Sequence, residues 1–118
     1  MDLICERMLS VSIPSLRRAA MRKLSERGMK QSEIAIRFGV SQAMVSKALP
    51  KRRGDAQERL VSAIIKSGIH KPLVKAAQEG IGTERINSII DRAASCKEMS
   101  AILHRLYAKA PKAKSGKP

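Results

Sequence analysis

Apolar residues recur at helical spacing through most of the chain, and the pattern is clearest in residues 31–50, QSEIAIRFGVSQAMVSKALP. Gly39 interrupts it, because a glycine can adopt the positive φ that ends one helix and turns the chain. Ser41 is a natural N-cap for a second helix, and Pro50 limits that helix on its far side. The stretch therefore predicts two short helices that meet at a tight corner. The apolar positions of the pair are Ile34, Ala35, Phe38, Val40, Val45, Ala48 and Leu49.

Ahead of this stretch, residues 3–11 predict a short helix packed on the domain, with a strand as the alternative. Pro14 suits the first turn of a separate helix over residues 13–27, and Ser12 is the candidate N-cap. One face of this second helix is apolar, and basic residues occupy the rest. Either these basic residues form a solvated helix face, or one or two of them contact phosphate. They are Arg17, Arg18, Arg22, Lys23 and Arg27.

The second half of the chain contains several shorter segments in which apolar residues again recur at helical spacing. Asp55 predicts the start of a helix over residues 56–67, because an acidic side chain can cap the first turn. Pro72 begins another short helical segment, where its missing N–H is tolerated. Thr83 is the predicted cap of a longer helical region. The pattern leaves open whether residues 84–109 form one helix or two.

The spacing of residues 31–50 resembles the helix-turn-helix of bacterial and archaeal repressors. In that pattern a Gln opens the first helix, a small residue lies four positions on, a Gly lies four beyond that, and a Val follows six after the Gly. Gln31, Ala35, Gly39 and Val45 occupy those places in this sequence. The resemblance implies that the second helix lies in the major groove, with its N-terminal residues at base edges.

Four outward-facing positions of that helix carry the predicted base contacts: Gln42, Ala43, Ser46 and Lys47. Gln42 can bond an adenine edge bidentately, and Lys47 can reach guanine or phosphate. Ala43 can meet a thymine methyl group, and the Ser46 hydroxyl suits more than one base. The alternative is that all four are ordinary solvated side chains. Their shared face on this particular helix favours a role in binding.

Contacts with the DNA backbone are predicted on both flanks of the same helix. The resemblance places Gln31 against the backbone, and the basic run after Pro50 would grip phosphate or enter the adjacent minor groove. We favour backbone contacts, which position a protein without carrying sequence information directly. The predicted set is Lys30, Gln31, Ser41, Lys51, Arg52 and Arg53.

The wider arrangement is similar to a group of archaeal regulators. In these, a Cys-Glu near the N-terminus precedes a helix with an early Pro, a helix-turn-helix and a helical extension. Cys5-Glu6, Pro14 and the segment SQAMVSKAL match that outline. Some relatives carry a fused thiamine-phosphate synthase domain as a sensor; from its 118 residues we expect this chain to lack one, which leaves the effector unknown. Relatives also have more cysteines in the extension than Cys96, so no metal or redox role is carried over.

Together these elements predict an all-α fold in three parts. Residues 1–54 would form a helix-turn-helix domain of about three to five helices, and residues 55–109 a helical extension. Residues 110–118 lack large apolar groups and predict a disordered basic tail. The apolar stripes of the extension exceed what a three-helix core needs. We interpret them as a homodimer interface, with completion of the core as the alternative. The interface residues would be Ile86, Ile89, Ile90, Ile102, Leu103 and Leu106.

The charge of the chain favours a polyanionic partner. Lys and Arg number 24 against 10 Asp and Glu, which gives a formal net charge of +14. Residues 1–54 hold 12 of the basic and 4 of the acidic residues, hence +8. Such charge displaces counterions from a nucleic-acid backbone and gives affinity that falls steeply with salt. RNA or a membrane surface would attract the same charge, so composition alone does not choose the partner.

Other classes of protein find little support in the sequence. No nucleophile–base set, carboxylate pair or phosphate-binding Gly loop is visible, so we expect neither an enzyme nor a cofactor. Cys5 and Cys96 lack a CxxC spacing, which favours free, partly buried thiols over a disulfide, and with two histidines a zinc site is not expected. No apolar run approaches about 18 residues, so we expect no membrane partner and a cytosolic, nucleoid-associated location.

The leading interpretation is a sequence-specific regulator that binds double-stranded DNA as a dimeric repressor. A symmetric dimer would present two such helices to half-sites about one helical turn apart. One alternative is an architectural nucleoid protein that uses the charge without discriminating bases. Another is an adaptor whose helical half binds a further protein.

Overall fold

The computed structural model describes residues 3–50 and 56–107. For residues 3–10, 56 and 107 it describes the backbone only. The predicted contacts Lys51, Arg52 and Arg53, the predicted helix start at Asp55 and the predicted tail 110–118 lie outside the described residues. Seven helices occupy the described part of the chain, without a strand, which confirms the all-α prediction. They are α1 (Leu3–Glu26), α2 (Gln31–Phe38), α3 (Gln42–Ala48), α4 (Ala56–Ser67), α5 (Lys71–Gln78), α6 (Thr83–Ala94) and α7 (Lys97–Tyr107).

The first helix, α1, runs without interruption through Pro14, so the prediction of two separate elements is wrong. Ser12 is a buried residue in the helix interior and not an N-cap. Pro14 removes one backbone hydrogen bond, at a cost of about 3 kcal/mol. Val11 and Ile13 before it, and Leu16 after it, all pack against the core. Burial on both sides of the proline therefore keeps the chain helical, because several apolar contacts outweigh one lost hydrogen bond.

Helix α1 lies at the centre of the molecule and packs against α4, α5 and α6. The buried apolar residues form one cluster that includes members of α1 to α7. Helices on both sides of the predicted boundary at residue 54 therefore share one core. Its largest fully buried side chains include Leu16, Leu24, Ile34, Val45, Leu60, Ile64, Leu73, Ile86, Ile90 and Met99.

The C-terminal helical region consists of two helices, α6 and α7, which settles the question that the sequence left open. The Ser95 hydroxyl donates a hydrogen bond to the Asp91 carbonyl at 2.9 Å at the end of α6. Cys96, a free and half-buried cysteine, accepts a hydrogen bond from the Met99 backbone N–H at 3.4 Å and so begins α7. Thr83 is the first residue of α6 and not its cap, because Gly82 holds the N-cap position.

Four of the six residues assigned to a dimer interface are buried within the single chain. Ile86, Ile90, Ile102 and Leu103 are at most 3% exposed, and they pack in the common core. Only Ile89 and Leu106 remain half-buried. The apolar stripe of α6 covers α1, α2 and α5, and α7 covers α4. The four buried residues therefore complete the core of the single chain, which is the alternative that the sequence analysis left open.

Candidate nucleic-acid interface

A three-residue turn, Gly39–Ser41, joins α2 to α3, as the sequence predicts. Gly39 has φ 67° and ψ 35°, a left-handed conformation that side chains with a Cβ rarely adopt. Its N–H donates to the Ile36 carbonyl, and the N–H of Val40 donates to the Ala35 carbonyl at 3.0 Å. This pair of bonds satisfies carbonyls at the end of α2 and reverses the chain within one residue.

Packing against another helix gives Gly39 a second constraint. A Cβ at this position would lie 2.7 Å from the Cγ2 methyl group of Thr83, at the start of α6. That separation is shorter than van der Waals contact allows. The corner between α2 and α3 is therefore seated directly on α6, and only a glycine fits there.

Ser41 is the N-cap of α3, which confirms the predicted capping role. Its backbone is extended, with φ −78° and ψ 157°, and its Oγ accepts a hydrogen bond from the Met44 N–H at 3.1 Å. This bond satisfies one of the donors that a helix N-terminus leaves unpaired. The hydroxyl proton remains available to donate to an acceptor such as a phosphate oxygen.

Helix α3 presents most of its surface to solvent. Val45 is fully buried, and Ala48 is half-buried beside it. At 3.6 residues per turn, Ala43 and Lys47 lie one turn apart on the side opposite Val45. All four side chains predicted to contact bases are exposed: Gln42, Ala43, Ser46 and Lys47. The structure thus brings them together on one short helix, although Gln42 lies toward the edge of its outward face.

Met44 is a further exposed residue of α3 that the sequence analysis missed. It is 49% exposed, on the flank between the outward face and the buried side. The sequence offered one signal of this exposure, the position of Met44 directly before Val45. Neighbouring side chains on a helix point more than a quarter turn apart, so Met44 cannot share the buried side with Val45. A thioether beside Ala43 gives α3 an apolar edge next to its polar residues.

Three of the six residues predicted to contact the DNA backbone are described, and Lys30, Gln31 and Ser41 lie at the starts of α2 and α3. Lys30 is exposed, and its carbonyl accepts from the N–H groups of Glu33 and Ile34 at the start of α2. Gln31 is the first residue of α2 and is half-buried. Among the described residues, neither Lys30 nor Lys47 forms a salt bridge. Their ammonium groups are therefore available to an external anion.

Arg22 of α1 proves to be a structural residue rather than part of a solvated or phosphate-binding face. It is 5% exposed, and its guanidinium forms a bidentate ion pair with the carboxylate of Glu58 in α4. The Nη2 atom lies 2.8 Å from Oε1. The same group donates to the carbonyls of Ala48 at 3.4 Å and Pro50 at 2.9 Å. These carbonyls close the C-terminal end of α3, where a positive charge is favourable.

Arg22 thereby connects α3 with α1 and α4. Its burial could have been suspected from the sequence, because it follows Ser15 and Ala19 on one side of α1. Both of those residues are small and buried, so they leave room for neighbouring chain. The partner Glu58, however, lies 36 positions further on, and no local pattern indicates that pairing.

No group of three or more His, Cys, Asp or Glu side chains in the described ranges could hold a metal ion. Among the same helices, none is both long and apolar enough to cross a bilayer. Comparison of the chain with protein-family models, with curated proteins and with solved structures found no match. The assignment of a function therefore rests on the residues and geometry of the chain itself.

Proposed function

We propose that the protein is a sequence-specific regulator of transcription that binds double-stranded DNA by placing α3 in the major groove. The observation that carries this proposal is the exposed face of α3, which is held against the core by Val45 and by the hydrogen bonds of Arg22 at its C-terminal end. A major groove about 12 Å wide admits one such helix. The helix that enters it must project from the domain, and α3 does so with five of its seven residues exposed.

The side chains on this face supply suitable chemistry for reading bases. The amide of Gln42 matches the N6 and N7 positions of adenine, and Lys47 reaches guanine or phosphate. The methyl group of Ala43 and the thioether of Met44 suit the thymine methyl group. Each well-placed bidentate contact discriminates against a wrong base by about 1–3 kcal/mol.

Positive charge supports contact with the DNA backbone around α3. The chain carries a net charge of +14; Ser41 directly precedes α3, and the exposed Lys30 directly precedes α2, the helix before it. Lysine contacts with phosphate release counterions, so we expect affinity to fall steeply between low and physiological salt. The basic residues Lys51, Arg52 and Arg53 follow α3 directly in sequence and would extend the same contact.

Regulation would follow from occupation of an operator, and a two-fold dimer would occupy a palindromic one. The core burial of Ile86, Ile90, Ile102 and Leu103 removes them from any dimer surface. The half-buried Ile89 and Leu106 are the members of the earlier set that a second copy could still cover. Binding to two half-sites about one helical turn apart would support such a dimer.

An adaptor that binds another protein is the second candidate, and two exposed apolar residues favour it. Ile36 of α2 is 73% exposed and Met44 of α3 is 49% exposed. Exposed aliphatic side chains of this size can anchor a partner helix. Replacement of both residues by Ser distinguishes the candidates. We expect a regulator to retain its backbone affinity for DNA in this variant.

The experiment that tests the regulator is selection of binding sites from a random duplex pool at physiological salt. We expect the wild type to enrich one sequence motif, and Gln42→Ala/Lys47→Ala to lose it. From the cost of a lost base contact we expect the variant to bind the selected site about tenfold to a hundredfold more weakly. Asn87→Ala/Lys97→Ala is the matched control, because both residues are exposed on other helices.

Three results would argue against the proposal. Enrichment of no motif, with equal binding by all three proteins and steep salt dependence, would indicate an architectural protein that uses charge alone. An equal loss in the control variant would show that general charge or stability, and not α3, governs binding. Absence of any DNA affinity would leave the adaptor as the better candidate.

A further inference from the structure

A second cluster of basic residues lies away from the exposed face of α3, in a cavity of about 410 Å³ between α1, α4 and α5. Lys23 and Arg27 of α1 line one side, and Lys71 and Lys75 of α5 line the other. No carboxylate is among the described residues that line it. Ile65 and Val74 supply an apolar part of the wall. The volume falls within the range of small-molecule sites, roughly 300–1,000 Å³.

None of the four cations of this cavity has a strong ionic partner among the described residues. Lys23 pairs with Glu26 at 3.2 Å, but Glu26 is largely exposed, and such surface pairs contribute little. Arg27 donates to the neutral amide oxygen of Gln78 at 2.9 Å. For Lys71 and Lys75 no salt bridge occurs within the described helices. Three of the four positive charges of the cavity therefore have no carboxylate partner among the described residues, and the fourth has only an exposed one.

A buried histidine lines the same cavity. His70, which precedes α5, lines it and is only 5% exposed. Its Nδ1 has no hydrogen-bond partner among the described residues. A buried polar atom without a partner is costly, so one beside four cations is a feature that a ligand can satisfy.

The protonation of His70 responds to the same surroundings. Burial lowers the pKa of His70 below its ordinary value of 6.5, the Ile64 backbone opposes this, and the charges of Lys23, Lys71 and Arg27 lower it further. An anion placed among those cations would reverse their effect on the ring. It would also accept a hydrogen bond once the ring is protonated.

We propose that this cavity binds the phosphate group of a small phosphorylated molecule. The four basic side chains neutralise the phosphate charge, and His70 hydrogen-bonds to one of its oxygens. Lysine and arginine hydrogen bonds to phosphate are charge-assisted and stronger than neutral ones. The concave wall and buried His70 suit a free phosphate group better than the extended backbone of a nucleic acid. The inference stands independently of DNA binding by α3.

The test is proton NMR of the full-length protein, in which His70 and His104 supply the two histidine signals. Inorganic phosphate and pyrophosphate are titrated against sodium chloride of equal ionic strength. We expect a saturable shift of the His70 signal and a rise in its pKa, with His104 unmoved. His104 is exposed on α7 and does not line the cavity, so it serves as an internal control.

Two charge-matched variants identify the site. Lys71→Gln/Lys75→Gln removes two exposed cations of the cavity, and we expect pyrophosphate to bind about tenfold more weakly. Lys66→Gln/Lys97→Gln removes the same charge elsewhere, because Lys66 lines a different cavity and Lys97 begins α7. We expect this control to bind as the wild type does. Thermal unfolding confirms that both variants are folded.

Other outcomes would overturn the proposal. Equal shifts of both histidines, or the same shift in sodium chloride, would show general ionic screening. Equal weakening in both variants would show that net charge and not the cavity attracts the anion. In a further arm, a short duplex DNA that shifts His70 when pyrophosphate does not would assign these cations to a nucleic-acid backbone.

Discussion

Helices α3 and α6 are similar in their apolar spacing but are held in different ways. Five of the seven residues of α3 are exposed, and Val45 is its buried anchor. Helix α6 buries Ile86, Ile90 and Ala94 against its own chain. At the C-terminal end of α3, Arg22 donates hydrogen bonds to the carbonyls of Ala48 and Pro50, and at the N-terminal end the Ser41 Oγ accepts one from the Met44 N–H. The position of α3 therefore depends on polar contacts as well as on Val45, whereas that of α6 depends on apolar burial.

We expect the largest loss of stability from a substitution in the buried apolar face of α6. Ile90→Ala opens a cavity in the shared core, where the side chain is 1% exposed. We expect a loss of about 3 kcal/mol in the free energy of unfolding, measured by urea denaturation. Ile89→Ala, at the half-buried neighbouring position, should lose much less. Equal losses would mean that the stripe of α6 is not buried as described.

Arg22→Met tests the polar attachment of α3. It removes the cation from a buried pair with Glu58 and leaves the carbonyls of Ala48 and Pro50 without this donor. We expect a loss of about 3 kcal/mol by chemical denaturation, together with faster amide exchange in α3. Arg27→Met is the control, because Arg27 is exposed and donates to Gln78 on another helix. A variant with unchanged stability and unchanged amide hydrogen exchange would contradict the role of Arg22 in holding α3.

Gly39→Ala tests whether the corner of α2 and α3 needs its contact with α6. The alanine would be strained by the positive φ, and its Cβ would clash with Thr83. We therefore expect the free energy of unfolding to fall by about 2 kcal/mol. Gly28→Ala shares the positive φ but meets no atom within 4 Å, so it isolates the conformational part. Thr83→Ser removes the Cγ2 methyl group and should restore part of the stability of Gly39→Ala. No restoration would show that the backbone conformation alone requires glycine.

Ser41→Ala removes the N-cap of α3, and we expect a smaller loss of about 1 kcal/mol. The same substitution at Ser88, an exposed position inside α6, should be neutral or slightly stabilising, because alanine favours a helix interior. Thermal unfolding of the two variants compares them directly. Opposite signs would confirm that the Ser41 hydroxyl acts through its bond to Met44.

We expect the smallest change in folding stability from the protonation of His70, which lines the basic cavity. Because the folded state lowers the pKa of this ring, the unfolded state binds more protons in the pH range between that lowered pKa and about 6.5. Stability should therefore fall as pH decreases below 6.5, while above it the contribution of His70 is constant. Urea denaturation at several pH values should show this slope, and His70→Gln should reduce it. His104→Gln should leave it unchanged.

Local signals made the α2–α3 pair predictable from the sequence. Gly39, Ser41 and the spacing of Ile34 and Val45 each specify structure within a few residues of themselves, and the structure follows them. The same signals failed at Pro14, because packing on both sides of it outweighs one lost hydrogen bond. A local rule holds where no distant contact opposes it.

Long-range pairing could not be predicted from the sequence. The stripe at Ile86 and Ile90 indicates that something covers it, but periodicity does not say whether the cover is this chain or a second copy. The pairing of Arg22 with Glu58, 36 residues away, could not be predicted from a local pattern, even though the small residues before Arg22 hint at its burial. The exposure of the four predicted base-contacting residues was predictable, because it follows from their position around Val45. The cavity at His70 was not, since it joins side chains from α1, α4 and α5.

The single core described above also limits modular use of the helix pair. Ile34, Phe38 and Val45 belong to the same cluster as Leu60, Leu73 and the residues of α6. A fragment cut before α4 would expose the apolar faces of α1 to α3 to water, and so would a transplant of α2 and α3 into another protein. Any chimaera that borrows the exposed face of α3 must therefore carry α4 to α6 with it, and a screen of sequence variants should vary the outward positions of α3 in the intact chain.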